Sequence, residues 1–145
     1  NGVYSALVAT CGMATISLAQ GHPLRGGVDI GLGFKLTPTE IYGPVLARAY
    51  NLESREAQYP RVLVGSEICN YLSRISSLIC VTELAGIAKS SAQDCQSIII
   101  EDTEGKKMLD FLGPQIHSIW GGDSDSCGNG PTSVSGCDPY ASTFP

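Results

Sequence analysis

The chain has 145 residues, a net charge of -5 and an isoelectric point near 4.8, which is long enough for one domain with its own core. The acidic balance excludes a general nucleic-acid surface, which needs a basic stripe, but still allows a nucleotide ligand, because a local cluster of donors can hold phosphates. Charged residues make up 16% and hydrophobic residues 43%, so part of the sparsely charged surface is expected to lie under a partner.

Residues 3–20 are predicted to form a helix, because Val3, Leu7, Cys11, Ala14 and Leu18 recur at spacings of three and four. Gly12 weakens it, and Gly21-His22-Pro23 ends it. The stretch is diluted by Ser5, Thr10, Thr15 and Ser17 and has no basic lead, so neither a spanning helix nor a signal peptide is expected. Residues 24–32 read as a Gly-rich strand whose glycines kink it or admit a close neighbour. A loop at 37–39 follows. Pro44 then suits a first helical turn, with Tyr42, Val45, Leu46, Ala49 and Leu52 on one face and Arg48, Asn51, Arg55 and Glu56 on the other. Pro60 forbids continuation, and Val62-Leu63-Val64 is a short strand.

Ser66 is placed to cap a helix over 67–75, with Ile68, Tyr71, Leu72 and Ile75 facing inward. Two readings stay open at 77–95: a helix throughout, or a strand at 78–82 followed by a helix. Residues 97–101 and 107–112 are predicted strands joined by the D-T-E-G turn at 102–105. The domain is expected to span 1–114. Residues 115–145, which become Gly-, Ser- and Asp-rich from Gly121, read as a disordered tail.

The local motifs carry little chemistry by themselves. Gly31-Leu32-Gly33 lacks the third glycine and the following helix of a dinucleotide fingerprint, so it reads as a turn. The run at 123–128 imitates the start of a calcium loop, but its twelfth position is Val134 rather than a glutamate. His22 and His117 stand alone beside turn residues. The six cysteines, at 11, 69, 80, 95, 127 and 137, show no C-x-x-C spacing, so no zinc site is expected. Cys11, Cys69 and Cys80 sit in apolar segments, where a reduced thiol behaves as a small hydrophobe, which points to a reducing, cytoplasmic setting. Arg25, Arg48 and Arg61 flank the central strands and are suited to clamping phosphate. Surface ion pairs with Asp29, Glu53 or Glu56 are the plainer reading.

Two segments carry a family resemblance. Arg25-Gly26-Gly27-Val28-Asp29-Ile30-Gly31 resembles the R-G-I-x-x-G strand of the class III nucleotide cyclase homology domain. The run from Tyr42 to Glu53 resembles the W-G-D-x-V-N-x-A-S-R-L-E helix that follows it. The match is closer to a bacterial branch with R-G-G-I…G, G-P-A…A-Y-x-L-E and Y-P-R-I. That branch includes the phage-defence cyclases that make cyclic CMP or cyclic UMP. Asp102-Thr103-Glu104-Gly105 and Leu109-Asp110-Phe111-Leu112 resemble its closing hairpin. The resemblance covers about residues 22–65 and 97–112.

The resemblance implies an α/β (α+β) fold, a ferredoxin-like mixed sheet flanked by helices, of which this chain would be the C-terminal part. It implies an activity that cyclises a nucleoside triphosphate, assisted by magnesium or manganese, in a head-to-tail homodimer. The family's two metal-holding aspartates would lie before Asn1, so no metal ligand is expected in this chain, which reads as a fragment or processed product. The catalytic Asn and Arg of the family helix fall on Ala47 and Asn51. Asn51 keeps a donor without charge. Arg61 and Arg48 are the candidates to replace the arginine, whose charge would offset that developing on phosphorus. Asn51 and Arg61 are thus the catalytic candidates, and Arg25 and Arg48 the nucleotide-binding ones. A catalytically degenerate module for dimerisation or regulation is the alternative. Nucleic acid and membrane are not expected partners.

Overall fold

The computed structural model describes residues 2–79 and 82–120. In chain order the elements are α1 (Gly2–Ala19), β1 (Gly26–Val28), β2 (Phe34–Thr37), β3 (Glu40–Tyr42), α2 (Pro44–Asn51), β4 (Val62–Val64), α3 (Ser66–Ser76), α4 (Glu83–Ser97), β5 (Ile99–Glu101), β6 (Lys107–Leu109) and α5 (Pro114–Trp120). The fold is α/β. Four strands form one mixed sheet in the order β1-β4-β6-β5, and β2-β3 is a separate antiparallel hairpin. β1 and β4 run parallel, while β4 with β6 and β6 with β5 run antiparallel. Parallel neighbours need a long crossover, which the hairpin and α2 supply.

Val62, Leu63 and Val64 are all buried, as befits a strand covered on both faces. Val62 and Val64 join Leu109 in a core with Leu7, Cys11 and Ala14 of α1, Ile68 and Leu72 of α3, Ala92 and Cys95 of α4, and Ile116 of α5. Each such aliphatic side chain stabilises the fold by about 1.5–3 kcal/mol through burial. Leu63 points to the opposite face. There it pairs in register with Gly27 and Met108, and α2 and the turn after it pack on this face beside Gly27. Gly27 makes this approach possible, because a Cβ there would lie 2.5 Å from the Ala49 carbonyl oxygen and 2.6 Å from Leu52 Cβ.

Several sequence expectations change. The strand expected over 24–32 contracts to three residues. The expected loop at 37–39 is the turn of the β2-β3 hairpin, which also takes Tyr42 out of the helix. Gly43 is what allows this sharp entry, with φ at 152° and no room for a Cβ beside the Leu32 oxygen. After Asn51 the helix widens into a π turn, Leu52–Glu56, closed by Ala57 N–H donating to the Leu52 carbonyl. Neither reading at 77–95 holds in full: the described residues 77–79 and 82 are neither helix nor strand, and α4 starts at Glu83, capped by Thr82, whose hydroxyl accepts from Ala85 N–H.

The expected boundary at 114 moves outward, because Pro114–Trp120 is a helix that buries Ile116 in the core. Gly12, read from sequence as a weakness of α1, gives room to Trp120. A Cβ on Gly12 would lie 2.7 Å from the indole Cζ2. By length and composition α1 is apolar enough to cross a membrane, with a mean hydropathy of 1.5. Here it packs on the sheet through Leu7, Cys11 and Ala14. The remaining tail, with its calcium-loop-like run and Cys127 and Cys137, lies outside the described residues, as does Cys80.

Candidate functional site

Arg61 leads into β4, and its side chain is completely buried. One guanidinium nitrogen, Nη1, donates to the Tyr59 hydroxyl at 2.6 Å and to the Asp102 carboxylate. Nη2 donates to the Glu56 carbonyl at 3.0 Å and to Glu104 at 3.2 Å. The Tyr59 ring lies 4.0 Å from the guanidinium carbon, adding a cation–π contact. Burial opposes the charge, but the Glu104 hydrogen bond and the electrostatic pull of Tyr59, Asp102 and Glu104 outweigh it and push the Arg61 pKa up. Asp102 is held below the usual carboxylate range, first by the Lys106 backbone N–H, then against burial by the Glu104 N–H and the Arg61 charge. Its Oδ1 accepts those two N–H groups at 2.9 and 2.8 Å. Arg61 is therefore a clasp that ties the end of the π turn, the start of β4 and the β5-β6 turn together. Only Nε lacks a partner, and it is buried, so no donor reaches a substrate.

The other candidates separate. Asn51 ends α2 in solvent. Arg25 pairs with Glu53 at 2.8 Å on the surface, as the plainer sequence reading expected. Arg48 pairs with Asp29 at 2.7 Å through Nε and donates from Nη2 to the Ile30 carbonyl at 2.8 Å. The Asp29 side chain is 1% exposed. Its Oδ1 accepts from the N–H groups of Ile30 and Ile68. Asp29 thus caps α3 from a distant strand. Ser66, the expected cap, is the first helical residue, and the N-cap is Gly65, where a Cβ would collide with the Asp29 carboxylate.

Arg48 lines a cleft of about 310 Å³ with Ile30, Gly31, Glu67, Asn70, Tyr71 and Arg74. Arg25, Asn51 and Arg61 lie outside it. Sequence reasoning missed the α3 half of this cleft and turned Tyr71 inward, whereas it is exposed. A signal was present. Glu67, Asn70, Tyr71 and Arg74 recur at helical spacing, which places four polar or amphipathic side chains on one face. Asp29, the partner of Arg48, already accepts from three donors.

Among the described residues no group of three or more His, Cys, Asp or Glu side chains can hold a metal. Asp29 and Asp102, whose side chains are 1% and 8% exposed, are both occupied by internal donors. The described thiols are no better as reactive groups. Cys11, Cys69 and Cys95 are free, and burial, helped by Asp110, pushes the Cys11 thiol up to about 11, so it stays protonated at neutral pH. No protein-family model, curated protein or solved structure matches the chain.

Proposed function

We propose that the chain is part of a class III cyclase-homology domain that serves as a dimerisation or regulatory module rather than supplying the catalytic arginine. The burial of Arg61 carries this reading. The family's catalytic Asn and Arg positions are Ala47 and Asn51 here. Of the two arginines able to replace the lost charge, Arg61 is enclosed in the fold and Arg48 is held on Asp29. Transition-state stabilisation needs a cation aimed at the developing phosphate charge. Both terminal nitrogens of Arg61 are spent inside the fold, so that guanidinium is not free to be aimed.

The enzymatic reading is the second one, with the chain as part of a metal-dependent cyclase acting on a nucleoside triphosphate. The exposed Asn51, which has no side-chain hydrogen bond among the described residues, favours it, because a partner subunit could use that donor. The two readings part in one experiment. The full-length protein that contains the chain is incubated with nucleoside triphosphates and manganese, and cyclic nucleotides are measured by mass spectrometry. Sedimentation is followed in parallel. The module reading expects no cyclic product and a concentration-dependent dimer. Turnover abolished by Asn51→Ala would establish the enzymatic reading instead.

A further inference from the structure

We propose that the crevice between α2 and α3, at the carboxyl ends of β1 and β4, binds a phosphate group through Arg48 and Arg74. The topology opens this crevice. β1 and β4 are adjacent and parallel. The chain leaving β1 reaches α2 on the Gly27–Leu63 face, and the chain leaving β4 enters α3 on the core face of Val62 and Val64. Neighbouring parallel strands whose connections depart to opposite faces leave a gap beyond their carboxyl ends, and ligands of open α/β sheets bind there. The gap is the cleft of about 310 Å³ lined by residues after β1, by Arg48 of α2 and by the polar face of α3. That volume suits a small ligand.

The side chains select an oxyanion. Asp29 and the Ile30 carbonyl hold two nitrogens of Arg48, which fixes the plane of the guanidinium before any ligand arrives and lowers the entropy lost on binding. Its Nη1 has no partner among the described residues. Gly31 gives the guanidinium room to lie there, since a Cβ would lie 2.5 Å from Arg48 Nη2. Arg74 forms no ion pair among the described residues, although acidic residues outnumber basic ones by 14 to 9 in the chain. An unpaired arginine in an acidic protein, set in a cleft with a pre-oriented second arginine, matches the forked geometry of phosphate. The Asn70 amide and the Tyr71 hydroxyl add donors on the same helix face. Glu67, on the rim, opposes the anion and limits its affinity. The proposal stands on this crevice alone and does not depend on the cyclase-homology reading.

The test is calorimetric titration of the full 145-residue chain with inorganic phosphate at low ionic strength, with amide NMR shifts as a second readout. Saturable binding is expected, with shifts centred on Gly31 and residues 67–74. Arg74 is exposed on α3, so Arg74→Gln keeps the fold and weakens binding about tenfold or more, the worth of a charge-assisted hydrogen bond. Arg74→Lys retains part of the affinity, and Glu67→Gln tightens it. A nucleoside monophosphate distinguishes the source of the group. Tighter binding than phosphate, with the gain lost in Tyr71→Ala, identifies a nucleotide stacked on Tyr71, whereas equal binding identifies free phosphate. Absence of saturable binding at millimolar phosphate, or equal affinity in Arg74→Gln, overturns the proposal.

Discussion

At the residue scale, Arg61 and Asp102 show how one pair can decide both what the protein is stable to and what it can do. Asp102 stays ionised in the folded chain at pH values where an unfolded aspartate, titrating near pH 4, already binds a proton. Its contribution is therefore complete above that range and is lost as pH falls through the lower folded value. Acid titration followed by circular dichroism is expected to show unfolding below about pH 4, and Asp102→Asn to flatten that dependence while lowering stability at neutral pH. An unchanged acid profile in Asp102→Asn would contradict the role of the clasp. The sequence made Arg61 visible as a residue at a strand end. It did not show its surroundings, because Asp102 and Glu104 lie 41 and 43 positions away, and only the β4-β6 pairing brings them close.

At the element scale, the contact between α1 and α5 is the one local rules would not suggest. Gly12 costs α1 about 1 kcal/mol relative to alanine in intrinsic propensity, yet any side chain there meets the Trp120 ring. Gly12→Leu is expected to displace Trp120, with a shift of its fluorescence toward solvent-exposed values and a loss of about 1–3 kcal/mol from overpacking. Preserved fluorescence would show that the indole does not rest there. The reverse logic applies at Thr82, where the cap was not foreseen. Removing its hydroxyl with Thr82→Ala is expected to cost about 1 kcal/mol, measurable by chemical denaturation. The β2-β3 hairpin went unread because it is short, and Pro38-Thr39 resembles a plain loop. Its cross-strand pairs, Phe34 with Tyr42 and Lys35 with Ile41, require both strands to be recognised at once.

At the scale of the whole molecule, the sheet sets α2 on one face and α3 on the other, and the cleft exists because of that division. Gly27→Val is a global test. The added side chain would strike the Ala49 carbonyl and Leu52, lift α2 from the sheet and remove Arg48 from the cleft. It is expected to lower stability by about 3 kcal/mol or more and to abolish phosphate binding together. Loss of stability with intact binding would separate Arg48 from the cleft. By itself the sequence determined α1, the start of α2 at Pro44, the strand at 62–64 and the D-T-E-G hairpin, because apolar periodicity and turn residues act within a few positions of each other. It also named Asp29 and Glu53 as possible arginine partners, although the pairs that form, Arg25 with Glu53 and Arg48 with Asp29, join residues 28 and 19 positions apart. Only the tertiary structure decided that Arg61 is a buried clasp, that Asp29 caps α3, and that Arg48 meets Arg74 across a crevice. Each of those depends on groups brought together by strand pairing and helix docking, which no local pattern encodes.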